Sequence, residues 1–159
     1  MIVTVHALFS HNEMIGSRII SKGSKHLAPD LPETSHVSVL INNRWVHEAT
    51  GAGVKIYSYD LWKTRHTEVG RIQLKNRQYQ EIADQFRQIQ DKKYDYPGVF
   101  FLGICIIPTF IGLPLPKKNL WQSDKKFFCC EVLGYLTGQC YGMSTPVQIF
   151  DKLRKDPNG

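Results

Sequence analysis

Three residues of this chain are of the types that nucleophilic catalysis needs: Cys129, His36 and Glu48. A thiol is a strong nucleophile once ionised, an imidazole can take its proton, and a carboxylate can fix the imidazole's tautomer and stabilise its cation. His36 and Glu48 fall in two β-prone runs, His36-Val37-Ser38-Val39-Leu40-Ile41 and Arg44-Trp45-Val46-His47-Glu48-Ala49, on either side of Asn42-Asn43. That pattern reads as a hairpin. A two-residue Asn42-Asn43 loop would set His36 against Ala49 and put Glu48 on the opposite face of the sheet. A three-residue loop, Ile41 to Asn43, pairs position 36 with position 48 instead. Val37, Val39 and Trp45 then share one face, and His36, Ser38, Val46 and Glu48 share the other. The second register sorts the side chains better and makes His36 and Glu48 cross-strand neighbours, about 5 Å apart at Cβ. A half-exposed sheet can also carry a His–Glu pair with no catalytic purpose, and these two residues alone do not exclude that.

Cys129 lies near the start of the apolar segment Phe127-Phe128-Cys129-Cys130-Glu131-Val132-Leu133-Gly134-Tyr135-Leu136, with Ser123 and Asp124 upstream as candidate caps. A helix is expected from about Phe128 to Leu136. A thiolate at a helix N-terminus is stabilised by the free N–H groups and the dipole, and the same N–H groups can receive a developing oxyanion. Cys130, rotated about 100° around the helix, is expected to be a small buried hydrophobe, as are Cys105 and Cys140.

The ordered set Ser35-His36-Val37-Ser38-Val39, then Trp45-Val46-His47-Glu48-Ala49 with Gly53-Val54, then Phe127-Phe128-Cys129-Cys130-Glu131-Val132-Leu133 resembles the circularly permuted papain-like hydrolases. These are the YiiX-like and lecithin–retinol acyltransferase-like branches of the NlpC-type superfamily. In them a His-bearing strand precedes a Cys-bearing helix, the order found here. The resemblance implies His36 as base, Glu48 as the residue that orients it and Cys129 as nucleophile. Tyr94-Asp95-Tyr96 is similar to the Y-D-Y that commonly precedes the family's Cys region. Cys130 stands where the family usually has Ser, and Ser38 where it usually has Gly. The resemblance implies an α+β, permuted papain-like fold and a cysteine hydrolase that works through an acyl-enzyme. Amide or peptide hydrolysis is the expected activity, with lipid acyl transfer or ester hydrolysis, or a non-catalytic binding module of the same fold, as alternatives.

The elements that must position these residues are legible to different degrees. Ile2 to Phe9 is β-prone, and Ser10-His11-Asn12-Glu13 has the form of a helix cap leading into Met14, Ile15, Arg18, Ile19 and Ile20. Gly23 to Thr34 reads as loop. Short strands are expected through Val54 and Ile56 and from Glu68 to Leu74. Arg77 to Gln90 is the clearest helix, with Tyr79, Ile82, Ala83, Phe86 and Ile89 on one stripe. Thr145-Pro146 opens a C-terminal helix containing Val147, Phe150 and Leu153. Helices flanking an antiparallel sheet make the class α+β. No linker or repeat divides the chain, so one domain over residues 1–159 is expected.

The bulk properties narrow the function. At 159 residues the chain can bury a hydrophobic core without disulfides, and the four cysteines form no framework of the kind secreted domains use. No basic or apolar leader is visible at the N-terminus, so a cytoplasmic setting is expected. The net charge of +6 suits anionic surroundings such as cell-wall polymer or a lipid surface. Its Lys and Arg are scattered, the chief concentration being Lys117-Lys118 and Lys125-Lys126, and no nucleic-acid motif accompanies them. The histidines and cysteines lack H-x-x-x-H and C-x-x-C spacing, and Gly51-Ala52-Gly53 is not a phosphate loop. No metal or cofactor is therefore expected. From Gly98 to Leu115 the chain has no charged residue, but Pro108, Gly112 and Pro114 interrupt it. Two short buried pieces around a proline turn are expected there and no membrane span, with a membrane- or acyl-chain-contacting surface as the alternative.

Overall fold

The computed structural model describes residues 1–11, 20–23, 25–26, 28–114, 116, 120–121, 125–139, 141 and 143–157. Alternation of side chains governs the sheet. In β1 (Ile2–His11) the residues Val3, Val5, Ala7 and Phe9 point to one face and all are buried. β1 pairs with β2 (His36–Ile41) on one side and with β5 (Thr67–Gln78) on the other. β3 (Trp45–Thr50) and β4 (Gly53–Ser58) extend the sheet beyond β2, giving the order β4-β3-β2-β1-β5 with every neighbour antiparallel.

The helices are α1 (Tyr59–Lys63), α2 (Tyr79–Ile89), α3 (Tyr96–Ile106), α4 (Cys129–Thr137) and α5 (Pro146–Lys155). Two residues each from β6 (Lys93–Tyr94) and β7 (Lys126–Phe127) form a short parallel pair ahead of α3 and α4. The apolar stripes of α2, α4 and α5 meet the sheet on the Val37 face: Phe86, Leu133 and Leu153 join Phe9, Val37 and Val39 in one cluster. Each such side chain contributes roughly 1.5–3 kcal/mol by leaving water. The opposite face is covered by α1, whose Trp62 closes over Leu8, Leu40 and Val46. The chain is thus α+β, with a five-stranded antiparallel sheet flanked by helices.

Local sequence accounts for the helix starts. Thr145 accepts the Gln148 N–H through its hydroxyl, while the Gln148 side chain accepts the Thr145 N–H at 2.9 Å, and Pro146 occupies the first turn of α5. Asp95 caps α3 by accepting the Gly98 N–H at 3.2 Å.

Some expectations change. Ser10 and His11 finish β1 and do not cap a helix, while the helix expected from Met14 to Ile20 falls largely on residues 12–19, outside those described. Ser123, Asp124, Lys117, Lys118 and Cys140 also lie outside them. Gly23, Lys25 and His26 are helical, so the loop begins later than expected. Short α1 carries no periodicity long enough to read in advance. The uncharged run is not two buried pieces. It forms α3 and then a 3-10 turn, Ile107–Ile111, that contains Pro108 and stops at Gly112 with φ 83°. Because α3 is apolar all round, only the stripe through Gly98, Leu102 and Ile106 can face the core. Phe100, Ile107, Phe110 and Ile111 are left exposed. Among the described residues, no helix is long and apolar enough to cross a membrane.

Candidate active site

The hairpin sets the first half of the site. β2 and β3 pair Val39 with His47, Leu40 with Val46 and Ile41 with Trp45. Asn42 and Asn43 take the left-handed conformation, φ 50° and 54°, which asparagine tolerates better than most residues, and the Arg44 N–H donates to the Ile41 carbonyl at 3.0 Å. The connection is therefore Asn42–Arg44, three residues as expected but one position later. Continuing the ladder sets Ser38 opposite Glu48 and His36 on the diagonal. A two-residue slip in pairing leaves every side chain on its face, so His36, Ser38 and Glu48 still share one side.

Glu48 is the most enclosed member, 1% exposed. A buried carboxylate is costly unless paired and hydrogen-bonded, and this one is both. Its Oε2 accepts from Ser38 Oγ at 3.1 Å and from Trp62 Nε1 at 3.1 Å, and it lies 2.7 Å from His36 Nε2. Burial alone would raise its pKa, but the hydrogen bond and charge of His36, assisted by Ser38, hold it below the ordinary carboxylate value. The hydroxyl of Ser38 is thus used to hold the acid.

With Nε2 committed to Glu48, the Nδ1 side of the His36 ring remains for Cys129, with which His36 also hydrogen-bonds. Burial pushes His36 towards the neutral form, but the hydrogen bonds to Cys129 and Glu48 and the negative charge of both overcome it, raising its pKa to about 10. The thiol responds in the opposite sense. Cys129 is drawn well below the ordinary thiol value by a hydrogen bond from Cys130, whose Sγ is 3.8 Å away, and, against burial, by His36 and the Val37 N–H. Cys130 is driven up by its own burial and by the Cys129 charge. Of the two adjacent thiols, Cys129 is the one whose pKa is lowered and Cys130 the one whose pKa is raised. Cys130, 1% exposed, is the buried hydrophobe expected.

α4 brings the thiol to this place. It packs across β2 and β3 with Val132 and Leu133 in the core, so its first turn comes to the end of β2 where His36 begins the strand. Glu131 accepts the Phe128 N–H at 3.0 Å and holds that turn. Tyr94-Asp95-Tyr96 stands beside it: Tyr94 pairs with Phe127, and the Asp95 N–H donates to the Phe127 carbonyl at 3.1 Å.

Two site residues were not legible in the sequence. His66 stacks on His36 with ring centroids 5.1 Å apart and on Trp62 at 4.9 Å, with Nδ1 3.4 Å from Ser10 Oγ and Nε2 3.7 Å from Glu48 Oε2. Burial and the charge of His36 lower its pKa to about 4, which keeps it neutral. Neither His66 nor Trp62 belongs to a local motif, and only α1 and the turn after it carry them to the site. His47 lies on the other sheet face, packed edge-on against Phe86 at 4.4 Å, and takes no part.

His36, Glu48 and His66 place three nitrogen and oxygen ligand atoms within 4.8 Å of one another. Glu48 Oε2 already serves Ser38, Trp62 and His36, so a cation there would have to displace the contacts that orient the imidazole. On the thiol side a cavity of about 390 Å³ opens beside Cys129 and Cys130, walled mainly by Val99, Leu102, Ile106, Phe110 and Phe128. Comparison with known proteins finds no match for this chain among family models, curated proteins or solved structures.

Proposed function

We propose that this chain is a cysteine hydrolase that cleaves an amide or peptide bond through a Cys129 thioester, with His36 as acid–base and Glu48 holding His36. The observation that carries the reading is the His36 ring 2.7 Å from a buried carboxylate, with the Cys129 thiol beside it drawn below its ordinary pKa. A structural His–Glu pair would not need a thiol on its other side.

In the first step Cys129 Sγ forms a bond to the substrate carbonyl carbon. N–H groups of the first turn of α4, including that of Cys129, receive the oxyanion. Collapse breaks the carbon–nitrogen bond, and the His36 imidazolium protonates the departing amine. Water then attacks the thioester while His36 takes its proton, releasing a carboxylic acid and restoring the thiolate. An ester substrate follows the same course with an alcohol as leaving group. That second reading is favoured by one observation, the apolar cavity beside the thiol.

Alkylation of the folded protein by iodoacetamide near pH 6, resolved by mass, tests the pair. Rapid labelling confined to Cys129 and abolished in His36→Ala is the expected result, since an ordinary thiol is protonated at that pH. Equal slow labelling in both proteins would refute it. Cys129→Ser and His36→Ala should each lower turnover by about 10³-fold or more, and the double variant should lose no more than the worse single one.

A further inference from the structure

One aromatic ring lies against the proposed base, and the steps at Cys129 leave it without a part. His66 follows Trp62 by four residues, and its N–H donates to the Trp62 carbonyl at 3.1 Å. That is the hydrogen-bond spacing of an α-helix, and it sets both side chains on one side of the turn that closes α1. The indole and the imidazole accordingly stack, with centroids 4.9 Å apart and planes 8° apart. The next ring in the pile is His36, 5.1 Å from His66 and tilted by 22°. A column of rings thus runs from a buried core residue to the base.

The two hydrogen bonds of His36 leave one motion of its ring unopposed. Nε2 is 2.7 Å from Glu48 Oε2, and the other partner is Cys129. Both act at the rim of the ring. The outer torsion of a histidine is broad and roughly two-fold, so the side chain's own preference does not fix the plane. A ring that pivots about its bond to Glu48 carries its other nitrogen away from Cys129. A flat surface against its face blocks that pivot.

His66 is itself fixed. Its side chain is 8% exposed, its Nδ1 lies 3.4 Å from Ser10 Oγ, and Trp62 backs it. Its Nε2 stays 3.7 Å from Glu48 Oε2, beyond hydrogen-bond range, so it does not draw the carboxylate away from His36. The charged and titratable groups that act on His66 are His36, Glu48 and Arg65, and its pKa is lowered among them. A neutral ring can lie against a protonated one without charge repulsion.

We propose that His66 is a positioning residue of the Cys129 site: its ring, backed by Trp62, holds the plane of His36 so that one nitrogen meets Glu48 while the other meets Cys129. The proposal rests on the cysteine-hydrolase reading and adds a residue to its machinery. His66 forms no bond and moves no proton in the reaction.

The test compares His66→Phe, which keeps a flat ring against His36, with His66→Gln, which keeps a polar group for Ser10 but no ring. The probes are iodoacetamide, read by mass as the pH dependence of Cys129 alkylation, and p-nitrophenyl acetate, read as kcat and KM. His66→Gln should lower kcat by about tenfold or more, with KM changed by less than about twofold. It should also move the midpoint of Cys129 alkylation up by about one pH unit. His66→Phe should keep kcat within about threefold of wild type and leave the midpoint in place. A His66→Gln protein as active as His66→Phe, or more so, would overturn the stack. If thermal unfolding shows that His66→Gln does not fold, His66→Phe decides alone, and a fallen kcat with a shifted midpoint in that variant would overturn the proposal. Slow alkylation of wild-type Cys129 near pH 6 would instead overturn the hydrolase reading.

Discussion

His36 draws its basicity from two sides of one ring, and the two contributions can be separated. Glu48→Gln keeps the shape of the buried side chain but removes its charge, leaving Cys129 as the main group that raises His36. A histidine with a raised pKa keeps its proton until the pH passes that value, so the protonated acid that must serve the leaving group is lost near pH 10 in the wild type. The kcat/KM profile should therefore fall on an alkaline limb near that pH, and in Glu48→Gln the limb should move down while the maximum drops by about 10²-fold or more. Steady-state kinetics from pH 5 to 11 check both. An unmoved limb would mean that Glu48 does not govern the charge of His36.

At the scale of one element, the first turn of α4 holds a second unusual carboxyl. Burial, reinforced by the charges of Asp95 and Cys129 and opposed only by the Phe128 N–H, raises Glu131 to about pH 8. Glu131 Oε1 and Asp95 Oδ2 are both buried without a hydrogen-bond partner among the described residues. A group whose pKa is higher in the folded state than in the unfolded one stabilises the fold fully below the unfolded value and loses that contribution as the pH rises to the folded one. For Glu131 the window runs from 4.5 to about 8, with a slope of at most about 1.4 kcal/mol per pH unit. Glu131→Gln can still accept the Phe128 N–H but has no proton to lose. Urea unfolding at pH 5 and pH 8 should show the variant's stability varying less with pH than the wild type's. Parallel losses in the two proteins would contradict a protonated Glu131.

At the scale of the whole molecule, the sheet is covered on both faces, and the two covers supply different halves of the site. α4 lies over the Val37 face and brings the thiol, while α1 lies over the Leu40 face and brings Trp62 against the acid. Trp62 is both a core residue, 1% exposed, and a hydrogen-bond donor to Glu48 Oε2 and Ser38 Oγ. Trp62→Phe retains much of the packing but leaves the buried carboxylate with one donor fewer. It should cost about 1–3 kcal/mol in stability and lower kcat/KM as well, because Glu48 is then less firmly placed. Thermal unfolding together with kinetics checks the coupling. Loss of stability with unchanged kcat/KM would limit Trp62 to packing.

What the sequence determined by itself was what short-range periodicity encodes. Alternation in 36–41 and 45–49 specified which residues share a face, and that survived an error in the loop position because a two-residue slip preserves parity. The i, i+3, i+4 pattern of 79–89 and the Thr145-Pro146 cap specified helices. Cysteine at the start of an apolar helical run placed a thiol at a helix N-terminus. The tertiary structure decided what depends on chain segments far apart meeting. It brought α4 across the sheet so that Cys129 meets His36, and it folded α1 over the other face so that Trp62 and His66 enclose Glu48. It turned one side of an evenly apolar segment into a cavity wall and left the other exposed. A segment without an amphipathic stripe carries no instruction about which side is buried. The pKa of Cys129 falls and that of Cys130 rises through their contact with each other and through His36 and the Val37 N–H, which lower Cys129 and which the sequence alone does not place beside it.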